Sequence, residues 1–122
     1  MKVLFVINDP PYGTERAYNG LRHANAMAKL PDVTTKIFFM ADAVHCARRG
    51  QRVPQGYYNV EHMVTIAVRH QVEGGACGSC MDARALSDED LIPGVHRSSM
   101  DELAAWTLWA DQVIVYSALS WA

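Results

Sequence analysis

The chain has 122 residues, half of them hydrophobic and a fifth charged, with a formal net charge of −2. This is the composition of a single globular domain, 1–122, rather than of a disordered chain. Acids and bases are interspersed and no apolar run approaches the roughly 20 residues of a membrane span, so neither nucleic acid nor a membrane is an expected partner.

Lys2 to Asn8 is a continuous run of apolar, β-branched and aromatic residues, which predicts a strand buried on both faces. It is too short for the apolar core of a secretory leader and has no small-residue cleavage site before Asp9-Pro10-Pro11. A cytoplasmic setting is therefore expected. Three cysteines cannot all pair, so Cys77 and Cys80 are expected there as thiols or redox groups, not as a structural staple.

After the Asp9 to Gly13 turn, Thr14 is placed to cap a helix reaching Lys29, with Ala17, Leu21, Ala24 and Ala28 on its apolar face. Pro31-Asp32 breaks it. Val33 to Met40 predicts a second buried strand, and Ala41 to Arg49 a short helix with Asp42 near its start and Gly50 at its end. Gln51 to Gly56 is a loop. Tyr57 to His70 carries Val60, Met63, Val64, Ala67 and Val68 along one helical stripe.

Val72 to Cys77 reads as a third strand, weakened by Gly74-Gly75, and Gly78 to Ala85 as a short helix. Ser87 to Gly94 is acidic and turn-rich. Ser99 and Glu102 have the spacing of a capping box for a helix to about Ala110, and Gln112 to Ser117 predicts a final strand. Strands alternating with helices imply crossover connections and a mainly parallel sheet in an α/β domain.

In such a sheet, function gathers at the carboxyl ends of strands. Cys77 falls at a strand end and Cys80 in the first turn of the next helix. Unpaired amides there favour a thiolate, the form that accepts or transfers sulfur, and the second thiol is spaced to attack a group carried on the first. The bland alternative is two small thiols packing at a turn. Zinc would need further ligands, and no second C-x-x-C or H-x₃₋₅-H follows; Cys46 beside His45 is the available complement.

The order of motifs resembles the DsrE/DsrF-like family over nearly the whole chain. The resemblance rests on Pro11-Tyr12-Gly13-Thr14 after the first strand and Phe39-Met40-Ala41-Asp42-Ala43-Val44 after the second. It continues in Gly75-Ala76-Cys77-Gly78-Ser79-Cys80-Met81-Asp82-Ala83-Arg84 and in Ser98-Ser99-Met100-Asp101-Glu102-Leu103. It implies a three-layer α/β/α fold assembled as a homotrimer or homohexamer. In the family's sulfur-relay members a cysteine at the third strand's end carries persulfide sulfur between donor and acceptor proteins. Cys77 matches that position, and Cys80 marks a Cys-x-x-Cys variant. Ala85 stands where the family usually has Gly after the Arg.

Tyr12, Gly13 and Thr14 open a helix, so their backbone could hold an anion, but a turn and helix cap is the preferred reading. Arg84, a turn beyond Cys80, is placed to stabilise a thiolate or to pair with Asp82 or Glu89. His23, His62, His70 and His96 share no spacing. Trp106 and Trp109 lie on one helix face with Leu103, and with Trp121 they suggest an apolar surface extending into a subunit contact. The expectation is a cofactor-free cytoplasmic sulfur carrier or thiol-based transferase using Cys77 and Cys80. The rivals are a non-catalytic binding or assembly protein with structural or metal-binding cysteines, and a thioredoxin-like oxidoreductase.

Overall fold

A computed structural model of the chain describes residues 1–118. Its centre is β1 (Lys2–Ile7), whose residues Val3 to Ile7 are all buried, as a continuous apolar run demands. Five strands form one sheet in the order β4-β3-β2-β1-β5, with β2 at Thr34–Phe39, β3 at Glu73–Cys77, β4 at Val95–Ser98 and β5 at Gln112–Tyr116. All four pairings are parallel.

Topology dictates the layers. From β1 to β4 the chain steps in one direction, so right-handed crossovers keep α1 (Arg16–Ala28) and α2 (Val60–Arg69) on one face. There the Asn25 side-chain amide donates to the Met63 carbonyl at 3.2 Å, and Phe5 meets His23 edge-on at 5.0 Å. The last crossover returns from β4 to β5 at the far edge, which carries α4 (Met100–Trp109) over the opposite face. Trp106 anchors it edge-on against Phe38 at 6.2 Å, and the Lys36 ammonium lies 4.9 and 4.6 Å from the Trp106 and Trp109 ring centres. The expected three-layer α/β/α architecture is present.

Several local expectations need correction. Thr14 does not cap α1, because its hydroxyl donates to Asp9 at 3.0 Å; the helix begins at Arg16, with Glu15 before it. Ala41–Ala47 winds as a 3₁₀ helix rather than an α-helix, and Asp42 makes no cap there. Asn59 caps α2 by accepting from the His62 amide at 3.1 Å. Half of the capping box at Ser99 forms: its hydroxyl accepts from the Glu102 amide, but the Glu102 carboxylate turns to His96 and Ser98. The reciprocal box occurs instead between Ser87 and Asp90. Trp121 lies outside the described residues.

The glycines of β3 have a packing reason. A side chain at Gly75 would stand 3.0 Å from both Ser98 Cβ and the Trp106 ring, and one at Gly74 3.2 Å from Val95. Glycine there lets β4 and α4 close down on the strand that carries Cys77. Ala85 adopts φ +57°, a left-handed conformation in which glycine would be unstrained, so the alanine bends the chain after α3 (Gly78–Asp82) at a cost of about 1 kcal/mol.

Candidate functional site

Cys77 ends β3 and precedes the first turn of α3, which buried Met81 pins to the core. Cys77 is 5% exposed and borders a cavity of about 340 Å³. Gly78, Ser79, Arg97, Ser98, Ser99 and Met100 line the remainder. Register explains the convergence. Cys77 pairs with Ser98 across β3 and β4, so the end of β4 and the start of α4 form the wall facing the thiol. Gly78 makes the close approach possible: a Cβ there would lie 2.8 Å from Arg97 Nε and 3.0 Å from the Ser98 carbonyl.

The two thiols are unequal. Burial pushes the Cys77 pKa upward, but hydrogen bonds from the Cys80 thiol, the Ser79 hydroxyl and the Ser79 and Cys80 amides outweigh it, leaving the pKa below its ordinary value. The Ser79 hydroxyl is 3.4 Å from Cys77 Sγ. Burial raises the Cys80 pKa, and so does its hydrogen bond to Cys77. The Ala41 amide, donating to Cys80 Sγ at 3.3 Å, and the charge of Arg84 pull the other way without reversing the shift. The pair therefore loses its first proton from Cys77 while Cys80 keeps its own. Both are free thiols, as is Cys46.

The remaining candidate residues are elsewhere. Tyr12, Gly13 and Thr14 follow β1, which β2 separates from β3, and they do not line the cavity. The Tyr12 hydroxyl donates to Gln51 at 2.8 Å and accepts from the Val60 amide at 3.1 Å; Gly13 turns the chain at φ +98°. Arg84 pairs with Asp42, its Nε donating at 2.9 Å, and donates to the Cys80 carbonyl at 3.1 Å. Neither Asp82 nor Glu89 is its partner. Cys46 is fully buried, burial raises its pKa, and its thiol donates to the Asp9 carbonyl at 3.7 Å. Burial, with help from Arg48 and Arg84, lowers the His45 pKa against the opposing charge of Asp42. Among the described residues, no group of three or more His, Cys, Asp or Glu side chains is arranged to hold a metal ion.

Sequence reasoning missed Arg97 and Ser98. Arg97 forks onto Asp82 with contacts of 3.0 and 2.7 Å, holding its guanidinium across the cavity wall. Ser98 donates to Glu102, which also binds the His96 ring, so one carboxylate ties the end of β4 to the first turn of α4. Burial would raise the Glu102 pKa; the contacts from Ser98 and His96 and the charge of Lys36 overcome this and hold it below the ordinary carboxylate value. The carboxylate thus contributes stability that is complete above its unfolded pKa of about 4.3 and is lost as pH falls through the lower folded value. Glu102→Gln is accordingly expected to lower unfolding stability at pH 7, with the difference disappearing below about pH 4. Urea unfolding of both forms checks this, and a pH-independent difference would contradict it.

Comparison with known proteins adds identity to this geometry. The chain is 38% identical over 116 residues to protein YchN of Escherichia coli K12, covering 94% of this chain and 98% of that one. The crystal structure of the Escherichia coli protein superposes with a TM-score of 0.89 at 38% identity, covering 95% of this chain and 99% of the other. A more distant relative, sulfurtransferase TusD of Sodalis glossinidius, is 27% identical over 124 aligned positions, covering 91% of this chain and 95% of its own. The model of the DsrE/DsrF-like family matches residues 1–116, and the chain belongs to that family.

Proposed function

We propose that the protein is a cytoplasmic sulfur carrier, a sulfurtransferase component that takes up persulfide sulfur on Cys77 and passes it to an acceptor protein. The observation that carries this reading is the asymmetric thiol pair, with Cys77 bordering the cavity and Cys80 in the helix that follows it. The Cys77 pKa is lowered and that of Cys80 raised, and Cys80, three residues on, is the group proposed to resolve what Cys77 carries. A thiolate is the form that attacks a sulfane sulfur. Family membership and the distant relative named a sulfurtransferase support the same chemistry.

Donor and acceptor proteins are the proposed partners, with assembly as a homotrimer or homohexamer. Leu108 is 90% exposed and Val113 and Val115 are 43% and 56% exposed, an apolar surface suited to subunit contact. That surface also favours the second reading, a non-catalytic assembly protein of the same fold. Among the described residues no helix is long and apolar enough to cross a membrane.

Intact-mass analysis after incubation of the reduced protein with a cysteine desulfurase and cysteine tests the carrier reading. The wild type is expected to gain the mass of one sulfur atom transiently, Cys80→Ala to gain and keep it, and Cys77→Ala to gain none. No gain in any form, with thiols no faster than free cysteine toward iodoacetamide, would favour the assembly protein.

A further inference from the structure

The cavity has a chemical bias beyond the thiol. Arg97 carries the only charged side chain among its lining residues, and Ser79, Ser98 and Ser99 bring hydroxyl groups to the same wall. Asp82 engages Nη1 and Nη2 of Arg97 from outside the lining. Asp88 lies farther off, 3.9 Å from Nη1. Arg97 Nε donates to no partner among the hydrogen bonds of the described residues and lies on the Gly78 side, 2.8 Å from where a Gly78 Cβ would be. The fork is thus held by its outer edge, with a donor left on the inner one. Cys77 borders this cavity and is 5% exposed, so the cavity is the route by which a donor reaches its sulfur. A small molecule can enter a cavity of about 340 Å³.

We propose that the cavity admits a small sulfur-donating oxyanion of the thiosulfate class, its oxygens held by Arg97 and the serine hydroxyls while its terminal sulfur meets Cys77. The proposal rests on Cys77 being a sulfur carrier and names a donor for it. The reaction balances without an external oxidant or reductant. The Cys77 thiolate attacks the outer sulfur of thiosulfate and a new S–S bond forms. The bond from that sulfur to the sulfonate sulfur breaks, and its electron pair leaves with sulfite. One thiolate and one dianion become one persulfide anion and one dianion. Burial raises the Cys80 pKa, which disfavours a second negative charge beside the entering anion.

Two measurements on the reduced full chain test this. In the first, sodium thiosulfate replaces the desulfurase and cysteine in the loading assay. The wild type is expected to gain one sulfur atom, with sulfite released in equal amount. Loading by the desulfurase but not by thiosulfate would overturn the proposal and leave the carrier reading intact, and loading by neither would overturn both. The second compares alkylation of Cys77 by iodoacetate, an anion, and iodoacetamide, its neutral counterpart. Removing the guanidinium charge in Arg97→Gln is expected to lower the iodoacetate-to-iodoacetamide rate ratio by about tenfold, and Arg97→Lys to restore part of it. Because each variant is scored by a ratio, a general change in thiol reactivity cancels. A ratio equal in wild type and Arg97→Gln would overturn the assignment of Arg97 to the anion.

Discussion

Loaded with one sulfur and left without an acceptor, the wild-type protein is expected to end as a Cys77–Cys80 disulfide, whereas Cys80→Ala keeps its persulfide. Cys77 ends β3 and Cys80 lies in the first turn of α3, three residues on, so the resolving attack is intramolecular. Cys80 sulfur attacks Cys77 Sγ, the bond to the outer sulfur breaks, and that sulfur departs as hydrosulfide with the proton from Cys80. Orienting two reactants in this way accelerates a step steeply, and the persulfide lifetime is expected to lengthen on the order of a hundredfold in Cys80→Ala. Burial and the neighbouring Cys77 raise the Cys80 pKa, so the wild-type release should speed up with pH through a midpoint above that of an ordinary thiol. Time-resolved intact mass follows a single change, from one sulfur above the reduced protein to two hydrogens below it. Equal persulfide lifetimes in the two proteins would remove Cys80 from the mechanism.

Trp106→Ala is expected to cost about 3–5 kcal/mol, a large share of the roughly 5–15 kcal/mol that stabilises a domain of this kind. Trp106 is 5% exposed and fills the space between α4 and the sheet, with edge-on contacts to Phe38 at 6.2 Å and His96 at 5.9 Å. Glycine at position 75 leaves room for the ring, so its removal opens a void beneath α4 that neighbouring atoms cannot fill. Leu108, two residues on and 90% exposed, supplies the control: Leu108→Ala should shift stability by no more than about 0.5 kcal/mol in the monomer. Urea unfolding at protein concentrations low enough to hold the chain monomeric separates the two. Similar losses for both variants would mean that α4 is not held through Trp106.

Legibility in the sequence followed the kind of signal each element carries. The first strand was readable because its apolar run has one stable home, a central strand covered on both faces, and the second because β-branched Thr34 and Thr35 lead into the buried run Ile37 to Phe39. The stripe of Val60, Val64 and Ala67 was readable because helical spacing puts those residues on one buried side. The strand Val95–Ser98 went unread. Its four residues include one apolar side chain, and it is held mainly by backbone pairing with β3, which leaves no periodic mark. Caps were the least dependable signals: Thr14 and Glu102 are the right residue types for helix starts, but Asp9 draws off the hydroxyl of one, and His96 and Ser98 the carboxylate of the other.

By itself the sequence determined the alternation of strands and helices apart from β4, the family, and the position of Cys77 at the end of the third strand with Cys80 in the helix after it. Those properties depend on local residue order, on the burial preference of apolar runs and on motifs that keep their spacing. Tertiary structure alone decided what surrounds the thiols. It brought Arg97 and Ser98 beside Cys77 through a parallel register spanning some twenty residues of chain, directed Arg84 to Asp42, and kept Tyr12, Gly13 and Thr14 out of the cavity. The reason is physical: a thiol's protonation and access depend on charges, donors and walls within a few ångströms, and folding, not sequence separation, sets those distances.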